Sequence, residues 1–328
     1  MEKVHENRDG VEISVVVCTY NRADMLEETL RSWGSVEKGE CRVELVVVDN
    51  NSTDGTRKVV ETFEKSHGGD LNYVFEPNPG LSFARNKGIK AARGRIIAFV
   101  DDDIYFREDW LQALVSVFQR HPKTDGVGGN SIPLFEGPRP DWLTDELGMF
   151  YGSTLSGETE KRMVFPEHPF GVNMAFRREV FVRVGGFTTR LGRIKTSLLS
   201  NEEKELFYRL HQAGMFVLYA PDIVVHHRVP KERMDQQWII RRVFWQGISK
   251  VAFTQLTNRQ GRFTLLRDAL IHGKRAVFGQ RPFCWKNCIL LYPRQEVKEQ
   301  MKTALSLGIA RQSLIEFINF DVNNLRQE

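Results

Sequence analysis

Five apolar residues, Ile96-Ile97-Ala98-Phe99-Val100, run straight into three adjacent carboxylates, Asp101-Asp102-Asp103. The β-branched and aromatic run predicts a buried strand. Like charges crowded at a strand end repel, so a fold that gathers them there needs a counter-charge. A divalent cation is the simplest one. Side chains alternate across a strand, which sends Asp101 and Asp103 one way and Asp102 the other. Oxygen-only ligands favour hard ions such as Mg2+ or Mn2+, which commonly share a site with substrate phosphates. The plainer reading is a strand end capped by solvated acids.

The preceding chain alternates strand and helix. Val11 to Cys18 reads as a strand buried on both faces. Thr19-Tyr20-Asn21-Arg22 is a loop and Ala23 to Trp33 a helix. Arg42 to Val48 is a second buried strand ending at Asp49, and Asn50 to Thr56 is a polar turn capping a helix from Arg57 to Lys65. Asn72 to Glu76 reads as a strand and Leu81 to Ala92 as a helix, then comes the acidic strand and a helix from Asp109 to Arg120. This alternation predicts an α/β fold with a mostly parallel, Rossmann-like sheet flanked by helices. Ligands of such sheets gather beyond the carboxyl ends of the strands. Thr19 to Arg22, Asp49 and Asp101 to Asp103 all follow strand ends, so they are expected to converge on one crevice. No Gly-x-Gly-x-x-Gly follows the first strand and no Gly-x-x-x-x-Gly-Lys-Ser/Thr occurs, which argues against dinucleotide and P-loop folds.

Composition narrows the class. Of 328 residues 41% are hydrophobic and 27% charged, as in a soluble globular protein. The net charge is only +4 and basic residues are scattered up to Gln236, so nucleic acid is not an expected partner. No run approaches the roughly 20 apolar residues that cross a bilayer. The charged start Met1-Glu2-Lys3-Val4-His5-Glu6 is unlike a secretory signal. Cys18, Cys41, Cys284 and Cys288 show no Cys-x-x-Cys spacing, and Cys18 lies in an apolar run as a core residue would. A reducing cytoplasm is the expected location.

Asp125 to Pro169 is rich in Gly and Pro with little periodicity, and Pro138 to Trp142 reads as a connector or a loop over the crevice. Phe170 to Phe176 predicts a strand and Arg178 to Val184 a helix stopped by Gly185-Gly186. Glu203 leads Leu206, Phe207 and Leu210 at helical spacing, which puts it on the buried stripe of a helix's first turn. Ser200-x-x-Glu203 is a capping box, yet an inward carboxylate beside a crevice is also what a general base needs. Val217 to Val225 is a strand running into His226-His227, a tandem of which one has to face the core side.

Together these stretches resemble the family 2 glycosyltransferases, with their A-type nucleotide-sugar-binding fold. The matching pieces are Val15-Val16-Val17-Cys18-Thr19-Tyr20-Asn21-Arg22, Val48 to Thr56, Asn78-Pro79-Gly80 with Ala84-Arg85-Asn86, Asp101-Asp102-Asp103, Asn173 to Arg178 and Glu202-Glu203-x-Glu205-Leu206. They span Ile13 to Pro230. The resemblance implies that Thr19, Tyr20, Arg22, Asp49, Arg85 and Asp102 hold the nucleotide-sugar, and that Asp101 and Asp103 hold Mn2+ or Mg2+ on its diphosphate. It implies Glu203 as catalytic base and His226 as a third metal contact, with His227 as the fallback. Where the family usually reads Glu-Asp, this chain reads Glu202-Glu203; where Asp often follows Asp49, this chain has Asn50. One base opposite the leaving group gives a single displacement that inverts the anomeric centre, and no second carboxylate for a double displacement is evident.

From Met234 the chain changes character. Ile240, Phe244, Ile248 and Val251 recur at helical spacing with Arg241, Arg242 and Lys250 on other faces, and further helices are expected from Phe263 to Phe278 and Glu296 to Ile318. Residues 11–232 therefore read as the catalytic domain and 233–328 as a helical appendage. The appendage either packs on the catalytic domain or docks peripherally at an anionic membrane surface on the cytoplasmic side, which would suit a glycan or lipid-linked glycan acceptor. Gln237 to Arg242 only echoes the Gln-x-x-Arg-Trp motif of processive members, so one sugar per event is expected. The alternatives are a sugar nucleotidyltransferase, which would want a Gly-rich loop after the first strand, and a non-catalytic binding protein, which would have lost an acid.

Overall fold

A computed structural model describes residues 11–154, 157–278 and 297–319. Among them β1 (Ile13–Thr19), β2 (Val43–Asp49), β3 (Leu71–Phe75) and β4 (Ile96–Asp101) lie parallel in the order β3-β2-β1-β4. Helices α1 (Ala23–Gly34), α2 (Thr56–His67) and α3 (Leu81–Ala91) connect them. Beyond β4 the sheet continues through β8 (Asn173–Arg177), β6 (Gly126–Phe135), β9 (Val217–Val229) and β5 (Ile104–Phe106), with β7 (Lys161–Arg162) beside β9. Among the described strands only β5, β7 and β8 run against the rest. Helices α4 (Trp110–Arg120), α5 (Arg178–Val184) and α6 (Glu202–Gln212) complete this part.

The alternation of valines explains the layering. Val15 and Val17 join one core with Leu26, Trp33 and Trp110, while Val16 joins a second core with Phe99, Phe176 and Leu206. All three valines are fully buried, so the sheet is covered on both faces and its strands must be apolar throughout.

Two stretches differ from the sequence reading. The acidic strand stops at Asp101; Asp102 and Asp103 form a turn into β5. The Gly/Pro-rich region after Asp125 contains the ten-residue β6, because β8 on one edge and β9 on the other hold it. Tertiary pairing decides a strand that local propensity disfavours.

The chain divides into two compact units: 1–138, 144–190 and 202–229 in the first, 139–143, 191–201 and 230–328 in the second. The expected loop at Pro138 to Trp142 thus falls mostly into the second unit. That unit contains α7 (Gln236–Thr257), α8 (Arg262–Phe278) and α9 (Val297–Ile318). Val251, Leu265 and Ile309, one from each helix, form its core. Cys284, Cys288 and residues 1–10 lie outside the described residues.

Candidate functional site

Register brings the strand ends level. Cys18 stands opposite Asp101, and Thr19 opposite Asp49. The β1–α1 and β2–α2 loops are tied together: the Thr53 amide donates to Asn21 Oδ1 at 2.7 Å and the Asn21 amide to Ser52 Oγ at 2.9 Å. Asp49 is buried and accepts from the Tyr73 hydroxyl at 2.7 Å and the Ser52 amide at 2.8 Å. Asn50 donates to the Asn78 carbonyl at 2.6 Å and accepts from the Gly80 amide at 2.7 Å. An aspartate could accept but not donate, which accounts for Asn at this position. Tyr20 is half-buried, and Thr19 is buried with its hydroxyl on the Asp102 side.

The three acids do not alternate as a continuous strand would make them. The turn swings Asp102 and Asp103 to one guanidinium: Arg22 Nη1 lies 2.5 Å from Asp102 Oδ1 and Nη2 2.6 Å from Asp103 Oδ2. Thr29 Oγ1, 2.9 Å from the Asp102 and Ile104 carbonyl oxygens, pins the turn. Burial pushes the Asp102 carboxyl up to about 6 against the pull of Arg22, and Asp103 adds to the rise. Asp101 is the most exposed of the three, with 35% of its side chain accessible.

Arg85 was expected at the nucleotide. It lies fully buried among carboxylates, 2.9 Å from Glu202, 3.3 Å from Glu203 and 3.6 Å from Asp101. One guanidinium thus gathers the strand-end acid and the first-turn glutamate of α6. Burial pushes the Glu203 carboxyl up, but Arg85 and nearby donors outweigh it and hold the group below the ordinary carboxylate range. Glu203 is ionised at neutral pH and keeps 19% of its side chain accessible. Ser200, the capping candidate, shares its hydroxyl with Ser249 and Gln246 at 3.4 Å each, inside the second unit.

The two histidines face opposite sides of β9. His226 pairs with Tyr105, whereas His227 is buried with Nε2 3.3 Å from Asp103 Oδ1. Its Nδ1 lies 2.6 Å from the Tyr151 carbonyl. That carbonyl only accepts, so the Nδ1 proton points at it, and Nε2 is the ring nitrogen that faces Asp103. A backbone carbonyl behind one ring nitrogen and a carboxylate beside the other is the arrangement of metal-binding histidines. Asp101, Asp103 and His227 therefore fit a hard divalent cation in donor type, although no ready-made group of three ligands is found among the described residues. His226 is not beside Asp103.

Sequence reasoning passed over Glu202, Gly171 and His168. Glu202 is the nearest carboxylate to Arg85. A Cβ on Gly171 would overlap both Arg85 and Glu203. His168 feels the Glu203 charge, and burial holds its imidazole below the ordinary range. Gly171 and His168 belong to an irregular segment without periodicity; only the extra acid next to Glu203 carried a signal.

Residues 14–185 match the family described as Glycosyl transferase family 2. A glucosyl-dolichyl phosphate glucuronosyltransferase of Haloferax volcanii is 30% identical over 247 residues, 73% of this chain and 76% of that protein. The succinoglycan biosynthesis protein ExoM of Rhizobium meliloti is 29% identical, covering 73% and 74%. A solved mannosyltransferase of Pyrobaculum calidifontis, in complex with GDP-Man and Mn2+, superimposes with a TM-score of 0.59 at 21% identity, over 97% of this chain and 90% of its own. Staphylococcus aureus TarS with UDP-GlcNAc gives 0.56 at 18% identity, over 94% and 81%. At such identities these two structures establish the shared fold.

Proposed function

The chain belongs to glycosyl transferase family 2 and is a glycosyltransferase; from that premise we propose that it moves one sugar per event from a nucleotide-sugar to an acceptor hydroxyl, with inversion. The observation that carries the reading is the Arg85 bridge, which brings Glu203 and Asp101 onto one guanidinium. The GDP-Man and UDP-GlcNAc held by the solved relatives support a nucleotide-sugar donor. The name of the Haloferax relative supports a lipid-linked glycan as acceptor.

In this reading Thr19, Tyr20 and Asp49 line the base and ribose pocket, backed by Tyr73. Arg22 and Asp102 lie beside the diphosphate. Glu203, already ionised, takes the proton of the acceptor hydroxyl as its oxygen attacks the anomeric carbon. The bond from that carbon to the diphosphate oxygen breaks on the opposite face, and the nucleoside diphosphate leaves. Arg85 keeps Glu203 charged and aimed; it is a positioning residue. Asp101, Asp103 and His227 would hold Mn2+ or Mg2+, which supplies Lewis-acid stabilisation of the departing diphosphate. His227 takes the place proposed from sequence for His226. Residues 11–232 are the proposed catalytic domain.

The test is release of nucleoside diphosphate across a panel of nucleotide-sugars with Mn2+. Glu203→Gln should lower turnover by about 10²–10⁴-fold while nucleotide affinity stays within a small factor. Near-normal turnover would return Glu203 to a helix-start role. Asp103→Ala should abolish the metal dependence of nucleotide binding; unchanged dependence would remove Asp103 from the metal site.

A further inference from the structure

Helix α8 carries a pattern that the reaction does not use. Its inner face is fixed by Leu265 and Ala276, both fully buried, with Leu265 in the core beside Val251 and Ile309. The helical period turns Phe263, Leu270 and Ile271 away from that core. They are 88%, 66% and 41% exposed. Arg267, Lys274 and Arg275 are exposed as well and fall three or four residues from these apolar positions, on the same side. The helix has four cations, Arg262, Arg267, Lys274 and Arg275, against one acid, Asp268, which lies 3.0 Å from Arg267.

Single exposed apolar residues need no explanation, but three along one helix face, interleaved with cations, do. A protein partner would have to supply an apolar cleft and acids for three cations at once, and would desolvate Lys274. A bilayer surface fits both components. Apolar side chains enter the boundary between headgroups and acyl chains, and Lys and Arg lay their stems along it with their charges on lipid phosphates. No described helix is long and apolar enough to span a membrane, so the contact is with the surface.

We propose that the outward face of α8 docks on an anionic lipid bilayer, with Phe263, Leu270 and Ile271 inserted and Arg267, Lys274 and Arg275 on the phosphates. The proposal takes its purpose, access to a lipid-linked acceptor, from the functional reading above; its test does not depend on that reading. The full chain is floated with vesicles of phosphatidylcholine alone and of phosphatidylcholine mixed with phosphatidylglycerol. It should float with the mixed vesicles, far less with the neutral ones, and less as salt rises. Each of Arg267→Glu, Lys274→Glu and Arg275→Glu should weaken binding by at least about fivefold, and Phe263→Glu with Leu270→Glu should abolish it. All five positions are exposed, so these variants should keep the parent's circular dichroism and its nucleotide release in vesicle-free buffer. Failure to float, or flotation unchanged in the variants, overturns the proposal. So does a concentration-dependent dimer that Phe263→Glu dissolves, which would give this face to a second copy of the chain. A chain that does not float while Glu203→Gln loses turnover leaves the functional reading standing alone; a chain that floats while Glu203→Gln keeps near-normal turnover leaves the docking standing alone.

Discussion

A guanidinium enclosed by three carboxylates is harder to remove than to accommodate. Arg85→Met would strand Glu202 and Glu203 without their counter-charge, and such a loss costs about 3–5 kcal/mol. Urea unfolding of the variant measures it; a difference below about 1 kcal/mol would mean that water reaches the acids freely. The pH dependence has a definite sign. As the proposed base, Glu203 works only when deprotonated, so turnover should fall as pH drops through its value, which Arg85 holds below the ordinary carboxylate range. The Glu203 limb should therefore lie at the acid end of the kcat profile, and any change in kcat between about pH 5 and neutrality should belong to Asp102, which burial raises to about 6. In Arg85→Met, burial acts without its main opponent, and the acid limb should move upward. Glu203 was legible from sequence because its apolar partners follow within seven residues. The Arg85–Glu203 contact was not, since it joins residues 118 apart, and no local pattern records such a distance. A period of two says that the histidines diverge, not which one meets Asp103, so sequence alone does not select His227 over His226.

The elements that sequence reveals best are those buried on both faces. The runs ending at Cys18, Val48 and Val100 needed no partner to be recognised as strands, since only a doubly covered sheet tolerates such continuous apolarity. β6 was hidden because its glycines carry no hydrophobic signal and its order comes from β8 and β9. The break after Asp101 was hidden too: alternation predicts where side chains point only while the strand lasts. Among the helices, α7 and α9 cross closely at Gly308, where a Cβ would overlap the Phe244 carbonyl. Gly308→Ala should cost about 1–3 kcal/mol, read as a fall in Tm; an unchanged Tm would mean that the crossing is looser than described.

At the scale of the molecule, the second unit takes in residues 230–328 together with two short returns, 139–143 and 191–201. Linear reading misses such returns because their composition does not differ from a loop's. Ligand linkage tests the assembled site as a whole. A nucleoside diphosphate at 100 times its Kd should stabilise the fold by about 2.7 kcal/mol, with Mn2+ present and not with EDTA; equal shifts in both would remove the cation from donor binding. The Arg22 clamp across Asp102 and Asp103 has one more effect. The molecule supplies its own positive charge to its most crowded acids. In the proposed metal role, an ion arriving at Asp103 has to compete with a tethered rival. Free Mn2+ should therefore bind weakly, and ions escorted in by a polyanion should bind well.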